Sequence, residues 1–245
     1  MINIGSKKVG EGAPCYITLE AGPTINGFDS AKKLVEISAR SGADAIKFQI
    51  LNADLLVADK TQLFEYKILA DRLTNQTETV KEPLYDILKR RELTDEEWVE
   101  VKKICDNLGI EFFATIFSDH HLELINSVGA KTVKIASSDI NHIPLITKAA
   151  KTGMSIQLDT GNASYDEIAY AIEKIEEQNN RQIIIHHCPT GYPADVDSVQ
   201  LAEIKKLKKL FPYPIAFSDA LKVISATSTH GVAGCSVFGF PTVQD

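Results

Sequence analysis

Long apolar runs are missing from this chain of 245 residues. None approaches the roughly 18 apolar residues that a membrane helix needs, and the N-terminal stretch MINIGSKKVGEG has no apolar segment of signal-peptide length. Cysteine is scarce as well: the four cysteines lie far apart, without a CxxC spacing, which favours free thiols in a reducing compartment. We therefore expect a cytoplasmic protein with no membrane partner.

Positively charged residues are also fewer than negatively charged ones. The sequence has 26 Lys and Arg against 33 Asp and Glu, a formal net charge of −7, which argues against a nucleic-acid partner because a duplex needs a basic face. No GxGxxG follows the first apolar run, which weakens a dinucleotide-binding interpretation. A small anionic substrate is still compatible with this composition, since a local lysine cluster can sit inside an acidic shell.

Segments with the hydrophobic periodicity of helices alternate along the chain with short apolar runs. Helical patterns cover 95–108 and 198–210, and a third helix begins at Ser164; Thr94 with Glu97, and Ser164 with Glu167, form capping-box pairs. Between the helical patterns lie short apolar runs typical of buried parallel strands. These runs are 15–22, 43–50, 110–115, 131–137, 155–160, 181–188, 213–219 and 235–240.

Eight predicted strands and seven or eight helices without a linker favour one domain over 1–245, a (β/α)8 TIM barrel. We expect a short hairpin in 1–14 ahead of the barrel and a long β2–α2 loop region over 51–93. We expect the last βα unit to be incomplete, because four residues follow Pro241. Residues 220–245 are therefore an atypical tail, which we expect to be the least well-packed part of the fold.

Active sites of such barrels lie at the carboxyl ends of the strands, and two lysines stand out within the predicted strands. Lys47 and Lys134 are flanked by apolar residues, although lysine is rarely buried without a partner. One interpretation is a pair of internal salt bridges with Glu20 or Asp159. Another is an anion pocket for a phosphate or carboxylate, and a third is a lysine that forms a Schiff base with a carbonyl substrate.

The histidines indicate no metal site. His186 and His187 are adjacent, so at most one of them faces the barrel interior. His120, His121 and His142 have no ligand-like spacing. We therefore predict no metal ligands from the residues themselves.

The chain resembles the sialic acid synthase family (N-acetylneuraminate synthase-like enzymes). The resemblance covers roughly residues 1–219, and it is most specific in KIAS followed by NHIPL and in HHCPTGYPA. The matching segments are INIGSKKVGEGAPCYITLEAG, SGADAIKFQI, ELTDEEW, GIEFFATIFSD, KIASSDINHIPLI, KTGMSIQLDTGNAS, IIIHHCPTGYPA and FPYPIAFSD.

This resemblance implies a condensation of phosphoenolpyruvate with an N-acylated amino-sugar aldehyde such as N-acetylmannosamine. The product is a nonulosonic acid, and phosphate is released by C–O cleavage. The catalytic positions it implies are Glu20, near the reacting carbons, Asp139 and Asp219. The substrate-binding positions are Lys47, Thr115, Lys134, Ser137 and Ser218 for phosphoenolpyruvate, Gln49 and Tyr192 (with Asp139 and Asp219) for the sugar, and Thr190.

The resemblance also implies a divalent metal, manganese or magnesium, and a possible homodimer. The ligand histidines of the family are replaced, however: Ala220 follows Asp219, and Pro241 lies near the position of the second histidine. Ile25 and Asn26 occur where the family has NHNG-like residues, and Asp139 stands where many members have Glu. The antifreeze-like domain of many members is not part of this sequence. We therefore expect weak or absent manganese binding.

Three functions remain open from the sequence. The first is an active nonulosonate synthase. The second is an impaired relative that keeps the anion pocket. The third is a barrel aldolase that uses Lys47 or Lys134 as an imine.

Overall fold

A computed structural model describes residues 1–71, 73–189, 196–218 and 234–238. The strands are, in chain order, β1 (Ile2–Ile4), β2 (Lys7–Val9), β3 (Tyr16–Gly22), β4 (Ala45–Gln49), β5 (Leu63–Asp71), β6 (Gln76–Pro83), β7 (Glu111–Ile116), β8 (Thr132–Ile135), β9 (Ser155–Asp159), β10 (Ile183–His187), β11 (Ile215–Ser218) and β12 (Gly234–Phe238). The helices are α1 (Phe28–Arg40), α2 (Ala53–Leu56), α3 (Leu84–Lys89), α4 (Asp95–Leu108), α5 (Asp119–Ser127), α6 (Ile143–Lys151), α7 (Tyr165–Glu176) and α8 (Ala202–Leu210).

Eight of the strands close into a barrel, in the order β3, β4, β7, β8, β9, β10, β11 and β12. The first seven run parallel to one another. These seven strands follow the predicted apolar runs to within a few residues. They also have the near-continuous burial expected of strands that are covered on both faces.

The closing strand differs from that of a (β/α)8 barrel. β12 runs antiparallel to both β11 and β3, so the predicted eighth parallel strand is wrong in direction. Fifteen residues, 219–233, separate β11 from β12. This is close to the minimum of about a dozen that a parallel crossover needs, whereas an antiparallel return can be made by a much shorter connection. The rest of the predicted tail, 220–233 and 239–245, lies outside the described residues.

The helices pack around the outside of the barrel. On β4, Ile46 and Phe48 join the outer core, and the Phe48 ring meets that of Trp98 on α4 edge-on at 5.4 Å between ring centroids. Both predicted capping boxes form, Thr94 with Glu97 and Ser164 with Glu167. The helix predicted over 198–210 begins later than 198, at Ala202, because Gln200 has a φ of 42°, which a right-handed helix does not accommodate.

A hairpin closes the amino end of the barrel. β1 pairs antiparallel with β2, and Ile2, Ile4 and Val9 from this hairpin are buried in a small apolar cluster. The other members of the cluster come from the barrel strands and are Tyr16, Ala45, Phe113, Ile184 and Ala216. The hairpin therefore seals the end of the barrel opposite the carboxyl ends of the parallel strands.

The region 51–93 forms an excursion between β4 and α4. It contains α2, the antiparallel pair β5 and β6, and α3. Arg90 donates two hydrogen bonds of 2.6 Å to the Glu82 carboxylate and one to the Tyr66 hydroxyl, which ties the β5–β6 pair to the chain after α3. In the described part of the chain, no helix has the length and apolarity to cross a membrane.

Candidate active site

The side chains that point into the barrel change in character from one end to the other. Above the apolar cluster come Thr18, Thr132 and Gln157, all fully buried, with the Gln157 amide donating to the Thr132 hydroxyl at 3.0 Å. The next inward positions towards the carboxyl ends carry charge. This charged cluster consists of Glu20, Lys47, Lys134, Asp159 and His186.

Lys47 and Glu20 form an ion pair across the β3–β4 boundary. Glu20 and Lys47 are register partners, so the pairing follows directly from the alternation of the two strands. Lys47 is 5% exposed, and its ammonium group also lies 3.4 Å from the Thr115 hydroxyl on β7. The predicted Lys47, Glu20 and Thr115 positions therefore meet at one point of the barrel wall.

Lys134 lies on the other side of the same interior. Its ammonium group is 2.8 Å from the Asp159 carboxylate and 3.3 Å from Nδ1 of His186. Lys134 and His186 are both fully buried, and burial lowers the pKa of Lys134, with Lys47 adding to the shift and Asp159 opposing it. Lys134 is the register partner of Thr115 on β7, whose hydroxyl lies 3.4 Å from the Lys47 ammonium group, so both lysines belong to one charged cluster.

His186 is held in its neutral form. Burial lowers the pKa of its imidazole well below the ordinary value, and the charges of Lys134 and Lys47 lower it further. The neighbouring His187 points to the opposite face, where its Nε2 lies 2.6 Å from the Val199 carbonyl oxygen. One histidine of the pair thus faces the interior, as their adjacency predicts.

Other predicted residues lie at the rim of this cluster. Gln49 ends β4 and is the register partner of Thr115. Ser218 ends β11 and contacts the Cys188 thiol, whose pKa is raised to about 11, chiefly by burial. Both residues are half-buried, which is compatible with contact to a substrate at the carboxyl end.

Ser137 and Asp139 belong to a 3₁₀ turn, Ser137–Asp139, that follows β8. The turn packs against the loop after β9 so closely that a Cβ on Gly161 would lie 2.5 Å from the Ser137 Cβ. Gly161 also has a positive φ of 32°, so both the contact and the backbone require glycine there. Asp139 is half-buried, and burial raises the pKa of its carboxyl group; no contact between Asp139 and the two lysines is found among the described residues.

Three predicted site residues, Thr190, Tyr192 and Asp219, lie outside the described residues. Conversely, Asp159 and His186 belong to the charged cluster but were not predicted as site residues. Asp159 was foreseen as a possible ion-pair partner of a strand lysine, and its position at the end of an apolar strand was the available signal. His186 could be assigned to an inward position only by alternation, which does not distinguish it from His187.

The described residues do not fit a bound metal. Among them, no group of three or more His, Cys, Asp or Glu side chains could hold an ion, and Glu20 and Asp159 are each paired with a lysine. Ala220 and Pro241, which replace the expected ligands, lie beyond the described part of the chain. Weak manganese binding stays a prediction.

Comparison with known proteins identifies the family. The model of the NeuB family matches residues 34–238. The chain belongs to the NeuB family. Members of this family are sialic acid synthase-type enzymes, and the sequence resemblance to that family is thereby confirmed.

Two curated relatives match nearly the whole chain. An uncharacterised protein of Methanocaldococcus jannaschii is 35% identical over 237 residues, which are 96% of this NeuB-family chain and 64% of the relative. The N,N'-diacetyllegionaminic acid synthase of Legionella pneumophila is 30% identical over 239 residues, 95% of this chain and 65% of the relative. The chain thus spans less than two thirds of the length of either relative.

A solved structure supports the same fold. The N-acetylneuraminic acid (sialic acid) synthetase of Leptospira borgpetersenii superposes with a TM-score of 0.78 at 28% sequence identity. The superposition covers 91% of this chain and 71% of that protein. The seven parallel strands of this chain are therefore arranged as in the barrel of that synthetase.

Proposed function

We propose that this chain condenses phosphoenolpyruvate with an N-acylated amino-sugar aldehyde, forming a nonulosonic acid and releasing phosphate. The observation that carries the proposal is the charged cluster: two buried ammonium groups face one interior, at the carboxyl end of a NeuB-family barrel. The naming of one relative as a legionaminic acid synthase supports the same reaction class.

The two lysines bind the anionic groups of phosphoenolpyruvate. Lys47 and Lys134 are both shielded from water, so charge-assisted hydrogen bonds to a phosphate or carboxylate are stronger there than in solvent. The hydroxyls of Thr115, Ser137 and Ser218 supply further donors. Gln49, Asp139, Tyr192 and Asp219 contact the amino sugar, and Thr190 is a further substrate-binding residue.

The reaction needs a nucleophilic carbon, an electrophilic carbon and a stabilised cation. The enol carbon of phosphoenolpyruvate attacks the aldehyde carbon of the open-chain sugar, and positive charge develops at C2. The Glu20 carboxylate, once Lys47 turns to the substrate, stabilises that charge through space. Water then adds at C2 and phosphate leaves with the bridging oxygen.

Phosphate release tests this function. Purified protein is mixed with phosphoenolpyruvate, with and without N-acetylmannosamine or its 6-phosphate, in the presence of manganese or magnesium ions. We expect phosphate to appear only with the sugar, and in ¹⁸O-labelled water the released phosphate should carry no label. Release independent of the sugar, or labelled phosphate, would contradict the proposal. Sugar-dependent release below about 1 s⁻¹ would instead support the impaired relative.

One observation favours an aldolase as the second candidate. Burial lowers the pKa of Lys134, and a neutral amine is what imine formation requires. Borohydride reduction in the presence of a 2-keto acid distinguishes the two functions. A covalent adduct on Lys134 in a peptide digest supports the aldolase, whereas an unmodified lysine supports the synthase.

A further inference from the structure

The charged cluster has no excess of positive charge. Its two ammonium groups, on Lys47 and Lys134, are matched by the two carboxylates of Glu20 and Asp159. His186 adds no charge, since its Nδ1 faces the Lys134 ammonium at 3.3 Å and an ammonium group can only donate. The cluster is therefore formally neutral, although the proposed substrate is a multiply charged anion.

Asp159 lies on the path by which an anion would reach Lys134. In the β8–β9 register Lys134 is opposite Gln157, and Asp159 is the next inward residue of β9 towards the carboxyl end, level with His186. The carboxylate is 13% exposed, whereas the Lys134 side chain is fully buried. An anion that enters from the carboxyl end meets the Asp159 carboxylate before it meets the ammonium group.

We propose that Asp159 couples anion binding to proton uptake: phosphoenolpyruvate displaces its carboxylate from Lys134, and that carboxylate takes one proton from solvent. This inference rests on the proposed substrate. No covalent bond changes in the step; one O–H bond forms on Asp159, and the resulting carboxylic acid can donate a hydrogen bond to the bound anion. A carboxylate kept ionised beside the anion would repel it in this poorly solvated interior.

The other titratable groups around Asp159 are less suited to take the proton. Protonated His186 would place a second cation 3.3 Å from the Lys134 ammonium group. Glu20, the partner of Lys47, has to stay ionised in the proposed reaction, because its negative charge stabilises the positive charge that develops at C2. The Cys188 thiol, which is also coupled to Asp159, is already neutral because its pKa is raised to about 11.

Calorimetric titration with phosphoenolpyruvate, without amino sugar, tests the coupling directly. At pH 8 the phosphate group is fully ionised, because its second pKa is about 6, so the ligand itself contributes no proton change. Titrations of the unaltered protein in two buffers of different ionisation enthalpy should show uptake of about one proton. Affinity should then fall as the pH rises, because a complex that takes up a proton is less favoured when protons are scarcer.

The Asp159→Asn variant tests whether Asp159 is the group that takes up the proton. It should bind phosphoenolpyruvate about 10- to 100-fold more tightly at pH 8, with no proton uptake and no pH dependence. Asp119→Asn is the matched control, because Asp119 forms its ion pair with Lys148 on the exposed surface; this variant should behave as the unaltered protein. Asp159→Ser serves as a second variant in case the asparagine variant does not fold.

The outcomes separate this inference from the proposed function. Absence of proton uptake in the unaltered protein overturns the inference without any variant, and so does uptake that persists in Asp159→Asn. Absence of phosphoenolpyruvate binding at every pH overturns it as well. Proton-coupled binding without sugar-dependent phosphate release would uphold the inference and contradict the synthase, whereas turnover with proton-independent binding would do the reverse.

Discussion

The two ends of the barrel interior are lined by the same strands but by different side chains, apolar at the amino end and charged at the carboxyl end. At the amino end, Tyr16, Ala45 and Phe113 pack under the N-terminal hairpin in a small apolar cluster. Two residues further along the same strands stand Thr18, Lys47 and Thr115, and Glu20 follows on β3. The apolar end stabilises the fold by burial, whereas the charged end holds groups that a substrate can displace.

This difference shows how one barrel separates stability from function. Burial of apolar side chains is favourable without any partner of precise geometry. Buried ion pairs add little net stability, yet the loss of one partner is costly. We therefore expect the charged cluster to contribute little to the stability of the fold and much to ligand binding.

The largest effect is expected for Lys134→Met. The substitution leaves the Asp159 carboxylate without its buried partner, which should lower the free energy of unfolding by about 3–5 kcal/mol. Loss of the ammonium group should also weaken phosphoenolpyruvate binding by about 1.5–3 kcal/mol. Urea unfolding and calorimetry measure the two effects.

The double variant Lys134→Met/Asp159→Leu is the control for that prediction. It removes both charges, so most of the lost stability should return, while anion binding should stay weak. Anion affinity unchanged in Lys134→Met would show that the lysine does not bind the substrate.

At the apolar end, Ile184→Ala should cost about 2–5 kcal/mol of unfolding free energy, because Ile184 is fully buried and the change leaves a cavity. Phosphoenolpyruvate affinity, measured below the urea transition, should stay within about twofold, which is roughly 0.4 kcal/mol. A large loss of affinity would contradict the separation of the two ends.

A smaller effect is expected for Gly161→Ala at the rim. The new methyl group would meet Ser137, and the resulting shift should cost about 1–3 kcal/mol of stability and displace the Ser137 hydroxyl. Because the Ser137 hydroxyl is displaced, phosphoenolpyruvate affinity should fall as well. Gly129→Ala is a suitable control, since Gly129 also has a positive φ but a Cβ there would meet nothing within 4 Å.

Thr115→Val should have the smallest effect. It removes the hydroxyl that lies 3.4 Å from the Lys47 ammonium group, while the Glu20 pair remains. We expect a loss of about 0.5–1.5 kcal/mol in phosphoenolpyruvate binding, seen by calorimetry, with folding nearly unchanged. An effect as large as that of Lys134→Met would mean that Thr115 contacts the reacting groups.

Local patterns predicted most of the parallel strands and helices, but not the contacts between them. The apolar residues that flank Lys47 and Lys134 predict two buried lysines, and the capping boxes locate the starts of α4 and α7. The pairing of Lys134 with Asp159 depends on the register of β8 with β9, which local periodicity does not report. The start of α8 depends on the backbone of Gln200. The antiparallel direction of β12 is defined by its pairing with β3 and β11, which a short apolar run does not encode.

The reversed direction of β12 has a practical consequence for attaching this protein to other molecules. Gly234 pairs with Glu20, and Phe238 pairs with Tyr16, so the chain enters β12 beside the charged cluster and leaves it beside the N-terminal hairpin. In a barrel of eight parallel strands the last strand would end on the opposite rim. A fusion partner, dye or resin joined after Phe238 is thus attached on the hairpin side, and the lysine-bearing mouth faces away from that attachment point.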